Sequence, residues 1–140
     1  MLAEEFFGID VGEKRVGVAR GSTVARLAEP MMVLPANKAM AKLKELVLQR
    51  KPAGLVVGLP RSLNGTETAQ TAKVRAWANE LGQKLKLPVY FQDEALTTQT
   101  ALGRQASAKK PTAKAELDAL AATVILQDFL DTAERDRIAV

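Results

Sequence analysis

Three acidic residues, Asp10, Glu94 and Asp118, stand in contexts where a carboxylate needs a partner. Asp10 interrupts the apolar run Phe6-Phe7-Gly8-Ile9-Asp10-Val11-Gly12, which has the length and residue types of a core strand. A carboxylate near the end of a buried strand carries a large desolvation cost unless something pairs with it. Gly8 and Gly12 lack a Cβ, so backbone or a ligand can approach the acid closely. Asp93-Glu94 falls where the last strand of the pattern ends, a position where open sheets place ligands. Asp118 is followed at offsets of three, four, seven and eleven by Ala121, Ala122, Ile125 and Phe129, and at that spacing all five share one helix face.

If the three acids meet at one edge of the fold, they repel one another and need a hard divalent cation to stay ionised. Oxygen-only ligands favour Mg²⁺ or Mn²⁺ over zinc. Two such ions about 4 Å apart activate a water and stabilise the leaving oxygen of a phosphodiester. Each acid also has a plainer role. Asp10 can accept backbone N–H bonds in the turn that follows it. Asp93 or Thr97 can cap a following helix, which leaves the neighbouring Glu94 less well explained. Asp118 can simply face its helix dipole.

Composition narrows the chemistry further. The chain has no histidine and no cysteine, which removes the commonest general base, the usual serine triad, imidazole ligands, thiolate nucleophiles and disulfides. Hydrolysis must then run on carboxylates, lysines, hydroxyls and an oxygen-bound metal. A net charge of +4 suits a polyanionic partner without requiring one. No apolar run reaches membrane-spanning length and Met1-Leu2-Ala3-Glu4-Glu5 is acidic, unlike a signal peptide. The expectation is a cytoplasmic protein with no membrane partner. At 140 residues it is most simply one domain, 1–140.

The elements that must position these acids follow in order. A first strand ends at Val11, a turn of Glu13-Lys14-Arg15 follows, and Val16 to Ala19 begins a second strand. Thr23 to Leu34 reads as a third strand broken near Pro30. Asn37 opens a helix with Met40, Leu43, Leu46 and Val47 on its apolar stripe and Lys38, Lys42, Lys44 and Arg50 outside it, closed by Lys51-Pro52. Ala53 to Pro60 is a continuous apolar strand of the parallel, doubly covered kind. A polar loop, Arg61 to Thr66, leads into a helix from about Glu67 whose stripe is Val74, Trp77, Ala78, Leu81 and Leu85. Val89 to Gln92 is the last strand, followed by a short helix to about Gly103, a basic mobile loop over about 104–114, a helix from about Ala115 to Ala133, and a frayed end from Glu134. Two right-handed strand–helix–strand crossovers joined to a meander give an α/β fold. Its sheet is five-stranded and mixed, three antiparallel strands plus parallel ones, with helices on its faces.

Four motifs then stand in register: Gly8 to Ala19; Val57-Gly58-Leu59-Pro60 with Asn64-Gly65; Asp93-Glu94-Ala95-Leu96-Thr97-Thr98; and Asp118-Ala119-Leu120-Ala121-Ala122. Together they resemble the YqgF/RuvX family of ribonuclease H-like nucleases over nearly the whole chain. The resemblance implies a ribonuclease H-like fold and a nuclease maturing the 5′ end of precursor 16S rRNA, with ribosomal association. It implies as the alternative a resolvase acting on branched, four-way DNA. Family catalytic and metal-binding positions fall on Asp10, Glu94 and Asp118, holding one or two Mg²⁺ or Mn²⁺ ions. The family usually carries Arg after the Asp-Glu pair; this chain has Ala95. If that Arg contacts the scissile phosphate, Arg61, Arg15 or Arg104 must take its task.

Arg61, Ser62, Asn64 and Gly65 are candidates for phosphate or ribose contacts, or an ordinary solvated loop. Lys109, Lys110 and Lys114 can grip backbone phosphates, or serve only solubility. Trp77 sits in a helix stripe and belongs to the core, and with six aromatics in all, base stacking is not the evident recognition mode. Gly-Ile-Asp-Val-Gly also resembles the first phosphate motif of sugar kinases and actin-like ATPases, but those close two such domains around ATP. The Gly12 to Gly17 spacing lacks the Lys of a P-loop, with Val18 in its place. A non-catalytic nucleic-acid-binding module is the remaining alternative. A resolvase needs two active sites and hence a dimer; the nuclease reading is compatible with a monomer or weak homodimer.

Overall fold

The computed structural model describes residues 4–60, 66–93, 114–132 and 138–139, with backbone alone at 114–118 and 138–139. Its elements are β1 (Glu5–Val11), β2 (Arg15–Ser22), β3 (Ala28–Pro35), α1 (Ala36–Arg50), β4 (Gly54–Leu59), α2 (Ala69–Leu85), β5 (Val89–Asp93), α3 (Lys114–Asp131) and β6 (Ile138–Ala139). They form one sheet in the order β3-β2-β1-β4-β5-β6. The β1–β2–β3 meander is antiparallel, while β4 lies parallel to β1 and β5 parallel to β4. The α/β architecture, the five expected strands and the two parallel crossovers are all present.

The period-2 alternation of β1 divides the core. Phe7 and Ile9 point to one side, where α1 and α2 cover them with Ala39, Leu43, Val47, Val74, Ala78 and Leu81. Phe6 points to the other, where α3 supplies Ala122, Ile125, Leu126, Phe129 and Leu130. β4 is apolar and buried along its whole length because both of its faces are covered, as parallel central strands require. Trp77 packs against the α1/α2-side core, as its stripe position predicts.

Local chemistry explains the boundaries. Near Pro30 the β2/β3 register shifts between Val18 and Ala19, which accommodates the break expected at the proline. Helix α1 begins one residue before Asn37 and its first N–H, from Ala36, donates to the Lys14 carbonyl at 2.9 Å. Helix α2 begins at Ala69 rather than Glu67, because Thr68 caps it: Thr71 N–H donates to Thr68 Oγ1 and Thr68 N–H donates to Thr71 Oγ1. Thr71 is fully buried and its hydroxyl also donates to the Pro60 carbonyl, so the end of β4 is tied to the start of α2. The Thr-x-x-Thr spacing was the signal for this start. Helix α3 ends at Asp131, two residues short of the expected Ala133. The expected fraying after Glu134 is corrected at 138–139, which pair antiparallel with Tyr90 and Phe91 as β6. The short helix expected before Gly103 and residues 104–113 of the expected basic loop 104–114 lie outside the described residues, while Lys114, the last of that loop, is corrected to the first residue of α3. No helix among the described residues is long and apolar enough to cross a membrane.

Arg50, at the end of α1, holds Glu5, at the start of β1, through two bonds of 2.9 Å each. This bidentate pair pulls the Glu5 carboxyl below its usual range, the Arg50 hydrogen bond outweighing partial burial. A depressed carboxylate pKa adds stability above the ordinary Glu value, and that contribution disappears as pH falls through the folded value. Both side chains are about one-third exposed, so the expected loss in Arg50→Ala is about 0.5–1 kcal/mol at neutral pH. In acid titrations followed by circular dichroism, the gap between wild type and variant should close below about pH 4, the ordinary Glu range.

Candidate active site

The C-terminal ends of β1, β4 and β5 form one rim of the sheet, and Asp10 stands there, half-buried. On one side Asp10 pairs with Gly17 of β2. On the other, the parallel register reaches Ile9↔Val57, which brings Gly58 alongside Asp10 at the next step. Residues opposite one another in neighbouring strands share a face of the sheet. The carboxylate is therefore flanked on its face of the sheet by two positions without a Cβ.

Helix α3 covers this same face and runs antiparallel to β1. Phe6 meets Phe129 with ring centroids 5.2 Å apart. Two residues on, a Cβ at Gly8 would lie 2.6 Å from Leu126 Cβ and 2.7 Å from the Ala122 carbonyl oxygen. The close approach foreseen at Gly8 is thus made by the helix backbone and not by a ligand. Two strand residues advance as far as about four helix residues, and position 118 stands one turn ahead of Ala122 in α3. The far end of the helix is fixed by Gln127, which accepts from Ala28 N–H at 2.9 Å and donates to the Arg26 carbonyl at 2.9 Å. Burial of Ala121, Ala122, Ile125 and Phe129 bears out the expected inner face of the helix.

Gly12 closes the hairpin at this rim. Its N–H donates to the Arg15 carbonyl at 2.9 Å, and a Cβ on Gly12 would meet that oxygen at 2.7 Å. Arg15, half-buried at the start of β2, shares the face of Gly17 and so of Asp10. The two are diagonal neighbours, within reach of a long side chain. Asp93 pairs with Leu59 at the end of β5 and is exposed. It alternates with Val89 and Phe91, which pack towards α1 and α2, away from the Asp10 face. Glu94, Arg61, Ser62, Asn64, Lys109 and Lys110 lie outside the described residues, as does the side chain of Asp118. Among the described residues no three acids cluster as a metal site.

Residues 4–132 match the family model described as "RuvX: Holliday junction resolvase". The chain belongs to the RuvX family. RuvX relatives named "Putative pre-16S rRNA nuclease" include that of Chloroflexus aggregans, 37% identical with 94% of this chain and 96% of the relative covered. Those of Limosilactobacillus fermentum and Streptococcus suis are 36% and 38% identical, covering 89% of this chain and 91% and 95% of theirs. Among solved structures, RuvC of Thermus thermophilus shares the fold. The structure titled "T. thermophilus RuvC in complex with Holliday junction substrate" superposes with a TM-score of 0.63 at 16% identity, covering 98% of this chain and 99% of that one. A second RuvC structure gives 0.60 at 15% identity, with 97% and 99% covered. The fold is ribonuclease H-like, and this RuvX chain is a nuclease, a hydrolase of phosphodiester bonds in nucleic acid.

Proposed function

We propose that the chain is a divalent-metal-dependent nuclease that matures the 5′ end of precursor 16S rRNA, with Asp10, Glu94 and Asp118 as the acidic set. The setting of Asp10 carries this reading: a half-buried carboxylate on the helix-covered face, at the strand ends, between two glycines. The in-step packing of α3 on β1 supports Asp118 as its neighbour, since the progression from Phe6–Phe129 to Gly8–Ala122 leads next to Asp10 and the turn at 118. Strand alternation favours Glu94 over Asp93, because Asp93 belongs to the opposite face. The chain's relatives at 36–38% identity support precursor rRNA as the substrate.

Without histidine or cysteine the common metal donors this chain offers are oxygens, and a half-buried carboxylate at the strand ends is one of them, so the residues suit Mg²⁺ or Mn²⁺. Such ions, bound by the three carboxylates, supply Lewis acidity and a more acidic water. The protein's own part is positioning. Asp10 is held by its strand, Arg15 stands where it can bind a phosphate oxygen, and in this chain it fills the task of the Arg replaced by Ala95. Arg61, Ser62, Asn64, Lys109 and Lys110 extend the grip along the strand to be cut. We place this activity in a single cytoplasmic domain, 1–140, a monomer or weak homodimer that associates with ribosomal precursors.

The description of the matched family favours a second reading, resolution of four-way DNA. Labelled precursor rRNA and four-way DNA, incubated under matched salt with Mn²⁺, separate the two. The expected result is cleavage of the RNA, abolished by chelation, with no paired symmetric cuts in the DNA. Symmetric junction cuts with intact RNA would replace the first reading by the second.

A further inference from the structure

Charge is not spread evenly over this protein. Residues 36–86 hold ten basic and three acidic side chains, a balance of +7, whereas the other 89 residues hold ten basic and thirteen acidic, a balance of −3. That basic third of the sequence builds α1, β4 and α2, and both helices lie on the side of the sheet opposite α3 and Asp10. Four of its cations have acidic partners: Lys42 with Glu45, Lys84 with Glu80, Arg50 with Glu5 and Arg75 with Glu67. Lys38, Lys44, Lys51, Lys73 and Lys86 are exposed and form no ion pair among the described residues.

We propose that the outer surface of α1 and α2 is a second nucleic-acid contact, holding the phosphate backbone of a duplex part of the substrate RNA remote from the strand that is cut. The inference rests on RNA being the substrate. Lysines offer compact point charges that suit phosphates without reading sequence. An apolar protein partner is less well served, since Leu48 is the only exposed large hydrophobic residue on these helices. Single-stranded bases are poorly served too, because all six aromatic residues pack in the two core clusters, leaving no stacking platform. A-form duplex RNA is recognised mainly through its backbone and shape, which is the chemistry these helices present.

The test uses the full chain and the triple variant Lys38→Gln/Lys44→Gln/Lys73→Gln, all exposed helix positions. One probe is a hairpin RNA with a long duplex stem and a single-stranded extension; the other is the extension alone as a short oligonucleotide. The expected result is a loss of hairpin affinity of about tenfold or more, with the slope of log affinity against log salt shallower by about 2–3. Cleavage of the oligonucleotide and the melting temperature should stay at wild-type values. Unchanged hairpin affinity and slope would overturn the proposal. So would equal losses on both probes, which would make these lysines part of the grip at the cut strand. Wild-type protein that binds the hairpin but cuts neither RNA would instead refute the proposed activity, and the binding comparison would still decide the role of this face.

Discussion

Gly8→Ala should lower the melting temperature by about 10 °C, a loss of about 3 kcal/mol, and bring cleavage down with it. The added methyl would sit 2.6 Å from Leu126 Cβ and 2.7 Å from the Ala122 carbonyl oxygen. Neither atom can rotate away, because one is fixed to the helix backbone and the other belongs to it. Relief requires α3 to move off β1, which opens the cluster of Phe6, Ile125, Leu126 and Phe129. In the proposed site the same shift separates position 118 from Asp10, so activity should fall further than the unfolded fraction explains. Thermal melts and single-turnover cleavage well below the melting point measure the two effects. Leu126→Ala in the Gly8→Ala background keeps the offending Cβ and should give no rescue. A variant melting within a degree of wild type would mean that the helix does not approach the strand as closely as described.

Asp10→Asn should reduce cleavage of precursor RNA by about 10³-fold or more, equivalent to about 4 kcal/mol in the barrier. The substitution keeps size and removes the charge that the proposed site uses to hold a divalent ion. RNA affinity measured without metal should stay within a few-fold, since phosphate contacts come from basic side chains. A variant that cuts as fast as wild type would remove Asp10 from the chemistry. Wild-type protein that binds RNA but yields no product with any divalent ion would leave a binding module.

Much of the sheet was legible because hydrophobic period carries it. The alternation in Phe6 to Val11, the unbroken apolar run of β4 and the stripes of α1 and α2 each report how many faces of an element are buried. Boundaries moved where a specific hydrogen bond outranked pattern, as at Thr68, whose cap starts α2 two residues later than the periodicity indicates. The two residues of β6 carry too little pattern to announce a strand; only the open edge of β5 gives them a partner.

The candidate site divides along the same line. That Asp10 is costly to bury and that the chain lacks every nitrogen and sulfur ligand of the common kinds follow from residue types and spacing alone, and its motifs carry the resemblance to a nuclease family. Which side of the sheet Asp10 faces, that Gly17 and Gly58 flank it, that Gly8 makes room for α3 and that Asp93 lies on the other face depend on strand register. Register is a property of partner strands far apart in the chain. A one-residue slip would turn every side chain to the opposite face without changing a letter of the sequence.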